Sequence, residues 1–109
     1  MDVRHRMTLS GWQGATSGLR VDAECRNRVL MPLRAQLRDV EVELPGQTTR
    51  PRCRITPTFW TTCPELRSAE IGRWMTRRGD KPWTRGNPPR YNAELVGFEN
   101  GTARLRVVG

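Results

Sequence analysis

The dipeptide Asn100-Gly101 stands between two runs that each alternate apolar and polar residues, "RYNAELVGFE" and "TARLRVV". Asn-Gly suits both central positions of a type I′ turn, whose positive φ angles match the twist of paired strands. Residues 91–108 are therefore expected to form an antiparallel hairpin, and the rest of the chain must supply partners for it. With the dipeptide at the turn, Phe98 pairs with Ala103, Val96 with Leu105 and Glu94 with Val107. The other face sets Leu95 near Arg106 and Gly97 near Arg104, and is basic and half exposed.

A second hairpin is expected upstream. In "RDVEVELPG", Val40, Val42 and Leu44 alternate with Asp39, Glu41 and Glu43, the pattern of a half-buried strand. "QTTRP" turns the chain, and "RCRITPTFW" alternates again through Cys53 and Ile55. Pairing these runs sets Glu41 and Glu43 near Arg52 and Arg54, each cross-strand pair contributing roughly 0.2–1 kcal/mol.

Each hairpin follows a helical pattern. From Asp22, "DAECRNRVLMPLRAQLRD" spaces Val29, Leu30, Leu33 and Leu37 along one stripe, with Pro32 forcing a kink or a second start. In "TTCPELRSAEIGRWMTRRG", Thr62 and Glu65 have the spacing of a capping box. Ile71, Trp74 and Met75 form its apolar stripe, and Gly79 supplies the exit. "SGWQGATSG" is too rich in glycine and serine for a regular element, with at most a short strand at Val3–Leu9 before it.

The expected architecture is a single α+β domain over residues 22–109, preceded by a weakly structured segment, 1–21. Its order is helix, two strands, helix, β-hairpin, giving an antiparallel sheet of about four strands with two main helices packed on one face.

Charge narrows the function. The chain has 109 residues and a formal net charge of +8, and Lys81 is the only lysine among 19 basic residues. A GC-rich genome explains arginine in place of lysine. It does not explain the positive excess, which is what attracts phosphate or an acidic partner. No run of about 18 apolar residues suggests a membrane span, and the first residues lack the apolar core of a secretory signal. A cytoplasmic protein with no membrane partner is expected.

Several motifs dissolve on inspection. "RGD" at Arg78–Asp80 is the charged exit of a helix. "NPPR" at Asn87–Arg90 resembles the catalytic turn of amino-methyltransferases, but Arg90 stands where that turn needs an aromatic to stack on a flipped base. "NGT" at Asn100–Thr102 matches a glycosylation sequon, but here it marks a turn. Cys25, Cys53 and Cys63 are odd in number and lack metal-ligand spacing, and His5 is the one histidine. No metal, cofactor or catalytic residue is assigned. Glu41 and Glu43 are the nearest thing to a nuclease carboxylate pair, without a basic partner at the required spacing.

Arginine interleaved with tryptophan remains. The stretch "MTRRGDKPWTRGNPPRY" gathers charge around Trp83 and is stiffened by Pro82, Pro88 and Pro89. The reading is a small basic non-enzymatic nucleic-acid-binding module, for DNA or RNA. Arg73, Arg77, Arg78, Lys81, Arg85 and Arg90 would meet phosphates, Arg104 and Arg106 would extend the patch, and Trp83 would stack on a base. The alternative is a protein–protein module: an accessory subunit, adaptor or inhibitor docking on a larger complex, since Trp and Arg also dominate protein interfaces.

Overall fold

The computed structural model describes residues 5–14 and 16–108. They form seven strands: β1 (Arg6–Gln13), β2 (Ser17–Val21), β3 (Asp39–Glu43), β4 (Arg52–Arg54), β5 (Glu65–Arg67), β6 (Arg90–Glu99) and β7 (Thr102–Val107). One sheet holds them all, in the order β4-β3-β7-β6-β1-β2-β5. Its edge strands β4 and β5 approach each other, so the sheet curls into an almost closed barrel. The expected four-stranded sheet with two helices on one face is thus replaced by a mostly-sheet domain. Pairing is antiparallel except between β3 and β7, which run parallel.

The first hairpin explains most of the difference. Residues 6–21, expected to be weakly structured, pair as β1 and β2 with Leu9 opposite Val21 and Gly11 opposite Leu19. Val3 and Arg4 of the short strand expected there lie outside the described residues. Two glycines stand in these strands because neighbouring groups leave no room for a side chain. A Cβ on Gly18 would fall 2.1 Å from the Leu66 carbonyl oxygen, and one on Gly11 would fall 2.9 Å from Pro89.

Glu65 is the second correction. It does not reach back to Thr62 as a helix-capping partner. It is the first residue of β5, paired opposite Arg20 of β2. Helix α2 (Ala69–Arg77) starts later, with the Ser68 side chain accepting the Glu70 N–H at 3.2 Å. Two hydrogen bonds to β2, Ser68 N–H to Ser17 and Val21 N–H to Pro64, hold residues 64–68 extended. Sheet pairing therefore overrides the local capping pattern.

The first helix is short. Helix α1 (Ala23–Cys25) continues as a π-wound turn (Arg26–Leu30) and a 3-10 turn (Met31–Leu33) in which Pro32 occupies the first turn. A proline cannot donate an interior helical bond, so the regular winding stops there.

Alternation along the strands fills the barrel. Met7 and Leu9, Leu19 and Val21, Val40 and Val42, Ala103 and Leu105 all point inward and are buried. Asn100 and Gly101 have φ of 53° and 81°, as a type I′ turn requires. Phe98 faces Ala103 as the turn predicts, but the register shifts between Leu95 and Gly97. That bulge turns Leu95 inward opposite Leu105 and leaves Val96 exposed, because one extra residue reverses every side chain beyond it.

Candidate nucleic-acid interface

Helix α2 packs against β2. Its buried face is Ile71, Gly72, Trp74 and Met75, and Gly72 lets the helix sit directly on Ser17. A Cβ at Gly72 would fall 2.7 Å from the Ser17 Cβ. A groove of about 530 Å³ runs along this joint, bordered by Ser17, Gly72, Arg73, Thr76, Arg77 and Lys81. No carboxylate lines it among the described residues. Arg73 and Arg77 lie four residues apart on the solvent side of α2, where side chains of neighbouring turns stand together. Lys81 arrives from the loop after the helix and donates to the Ser17 hydroxyl. Arg77 donates to Gln47 at 3.1 Å. The Arg73 side chain has no ion pair or hydrogen bond among the described residues.

The other residues singled out from the sequence are placed elsewhere. Arg78 leaves the helix toward the core: its guanidinium lies 4.7 Å from the Trp74 ring and 5.9 Å from Tyr91, and pairs with Asp80 at 3.0 Å. Asp80 also accepts from the Tyr91 hydroxyl at 2.8 Å. Burial, then that hydrogen bond, pushes the Tyr91 phenol above its ordinary value. Arg78 thus seals the Trp74–Tyr91 pair.

Trp83 is a lid. It packs on the barrel core as a partly buried side chain, and its ring reaches the space above Gly11 beside Pro89. The Gly11 N–H donates to the Pro89 carbonyl at 2.8 Å, fixing the proline-rich loop to β1. Arg85 is exposed in the turn closed by the Asn87 N–H and the Thr84 carbonyl. Arg90 lies across from Ser10 on the outer face of the sheet.

Arg104 and Arg106 face a lattice of carboxylates. Parallel pairing with β3 sets Glu41 beside Arg104 and Glu43 beside Arg106. Arg106 donates to Glu43 at 2.5 Å and lies 3.9 Å from Glu94, and Arg104 lies 3.6 Å from Glu41. Arg52 adds a 2.8 Å bond to Glu41, and Arg50 a 3.1 Å contact to Glu43. The Arg52 hydrogen bond lowers the Glu41 carboxyl below its usual range, and the Arg106 bond does the same for Glu43. On this face the positive charge is locally matched. The same contacts occupy the two carboxylates that stood as the nearest nuclease candidates.

Asp22, Glu24 and Cys25 bring ligand-type atoms within 4.8 Å of one another, but both acids are exposed. The Cys25 sulfur accepts the Thr8 N–H at 3.4 Å, and burial raises its thiol pKa. This is a packed thiol.

Sequence reading passed over one arrangement. Arg20 of β2 and Arg67 of β5 both contact the carboxylate of Glu65, each at 3.3 Å. Arg67 also lies over the Trp12 ring, 4.9 Å from its centroid. No local pattern announces this cluster, because it depends on β2 meeting β5 from more than forty residues away.

No protein-family model matches the chain, and comparisons with curated proteins and with solved structures likewise find no match.

Proposed function

We propose that the chain is a nucleic-acid-binding module that grips the phosphate backbone in the groove beside α2. The observation carrying this reading is the convergence of Arg73, Arg77 and Lys81 on one groove with the Ser17 hydroxyl and, among the described residues, without a lining carboxylate. Guanidinium groups fork onto phosphate oxygens, and both Arg73 and Arg77 are exposed on the solvent side of α2. Arg85 adds charge in the loop beyond Lys81. Trp83 closes the barrel rather than stacking on a base, and Arg104 and Arg106 hold the sheet face together. Contacts of this type fix position and orientation without reading sequence.

The test is a titration of fluorescent single- and double-stranded DNA and RNA at several salt concentrations. Binding should weaken with salt, with a log–log slope of roughly −0.7 to −0.9 for each phosphate contacted. Arg73→Ala with Arg77→Ala should abolish most of it while leaving the melting temperature unchanged, since both side chains are exposed. A salt slope near zero, or full affinity in the double variant, would sink the proposal.

A further inference from the structure

The Glu65 cluster has the form of a preorganised anion fork. The Glu65 side chain is 3% exposed, while the Arg20 and Arg67 side chains touching it are 50% and 53% exposed. One hidden carboxylate therefore steadies two guanidiniums that remain half in solvent. The Trp12 ring fixes Arg67 further by lying beneath it. A carboxylate buried only for stability needs one cation, and the second leaves a surplus of charge facing outward. Arg90 joins the same face: Arg20 stands opposite Ser10, and Ser10 opposite Arg90. The groove between Arg20 and Arg90, about 340 Å³, is walled by Pro64 and Pro88, and among the described residues Asp22 is the one carboxylate lining it.

This fork adjoins the α2 groove along two elements at once. Along β5, Arg67 is followed by the capping Ser68 and then by Ala69, which already borders the groove. Arg73 lies about 6 Å further along the helix axis. Along β2, Ser17 borders the groove, and Gly18 sits opposite both Trp12 and Arg67. The two basic surfaces meet at an edge, one on the outer face of the sheet and the other along the side of the helix.

We propose that the Arg20–Glu65–Arg67 fork is a second phosphate site, and that a single strand of nucleic acid runs from it around the hairpin tip into the α2 groove. The proposal rests on the groove reading above and adds the class of ligand. A path that turns from sheet face to helix side suits a flexible single strand. A duplex, with a persistence length of about 150 base pairs, would reach one surface or the other.

The experiment uses fluorescein-labelled oligothymidylates of roughly three and roughly ten nucleotides, lengths bracketing the smallest single-strand sites, and a duplex of the longer length. For the unaltered protein, the longer strand should bind at least tenfold more tightly than the shorter one and more tightly than the duplex. Arg20→Ala with Arg67→Ala should erase that length advantage and reduce the salt slope by about 1.4, or roughly 0.7 for each of two contacts. The short strand, which can span only one of the two sites at a time, should lose less affinity than the longer one. Arg20→Lys with Arg67→Lys, which keeps the charge, should restore most of the effect. Equal binding of the two lengths, or a preference for duplex, would overturn the fork and leave the groove reading standing. No binding of any oligonucleotide would overturn both. The length comparison needs no substitution, so a variant that fails to fold does not remove the test.

Discussion

Gly18→Ala is a one-methyl perturbation that should unfasten an edge of the barrel. The new Cβ would stand 2.1 Å from the Leu66 carbonyl oxygen, 2.9 Å from its carbon and 3.0 Å from the Arg67 Cα. All three neighbours are backbone, so no rotamer change can relieve the overlap. Reaching an ordinary contact of 3.4 Å requires β5 to move by more than 1 Å. The flanking hydrogen bonds, Val21 N–H to Pro64 at 2.8 Å and Ser68 N–H to Ser17 at 2.9 Å, do not survive such a shift. Each contributes about 1 kcal/mol net. Partial unpacking of Leu66, now fully buried, adds about another 1 kcal/mol, within the usual range for overpacked cores. The expected loss is about 2–4 kcal/mol, from a total that for a domain of this size is about 5–15 kcal/mol.

Urea unfolding followed by tryptophan fluorescence measures that loss. Amide exchange at Val21, Leu66 and Ser68 should show the protection lost locally. Gly97→Ala is the internal control, because a Cβ there meets nothing within 4 Å. It should change stability by less than about 0.5 kcal/mol, as surface substitutions usually do. A Gly18→Ala cost below about 1 kcal/mol, the usual worth of one such hydrogen bond, or an equal cost at Gly97, would refute the close-approach account of β2 and β5.

Two further predictions concern titration. Burial pushes the Cys53 thiol up to about 12, whereas Cys63 is only partly buried. A thiol reagent at mildly alkaline pH should label Cys63 first and leave Cys53 unlabelled until urea unfolds the chain. Glu41 and Glu43 have folded pKa values lowered from 4.5 by their arginine partners, so the unfolded chain takes up protons first as pH falls. Their contribution to stability is present above about pH 4.5 and is lost as pH drops through the lower folded values. Glu41→Gln with Glu43→Gln should flatten the acid limb of a stability–pH curve and reduce stability at neutral pH. An unchanged limb would show that these pairs contribute nothing measurable.

How much of this was legible in the sequence varied with the range of the interaction. The Asn100-Gly101 turn and the alternation of β3 are local and could be read directly. So could the apolar stripe of Ile71, Trp74 and Met75. The bulge at Val96 could not, because Leu95 and Val96 are both apolar and the register shift between Leu95 and Gly97 decides which of them faces inward. The glycines of the first hairpin look like loop residues one at a time. They belong to strands because Pro89 and Leu66 crowd them from distant parts of the chain. Glu65 satisfies a capping pattern on paper, yet β2 draws it into the sheet and buries it between two arginines. The same limit applies to the surface. Spacing alone shows Arg104 and Arg106 as free charge, whereas the parallel pairing with β3 brings Glu41 and Glu43 beside them and β6 adds Glu94. Arg73, Arg77 and Lys81 lie close in sequence, and their shared groove is largely a helical-spacing effect. Ser17, which completes it, comes from the other end of the chain.

The strand order carries a consequence for how the chain assembles. The final hairpin, β6–β7, occupies the middle of the sheet, with β3 and β4 on one side and β1, β2 and β5 on the other. Before residues 90–107 have been made, the two flanking groups have no strand in common. The earlier residues can pair only as separate ribbons, each with an open edge, and two- or three-stranded pieces are marginal alone. The β6–β7 hairpin is thus a keystone, made after the other five strands, and must be inserted between pieces already present. Folding should then be a late, concerted step, slow for a chain this small because its joining contacts span most of its length. A ribosome stalled just short of residue 90 should display a protease-sensitive chain, and one stalled with Val107 clear of the exit tunnel a resistant one.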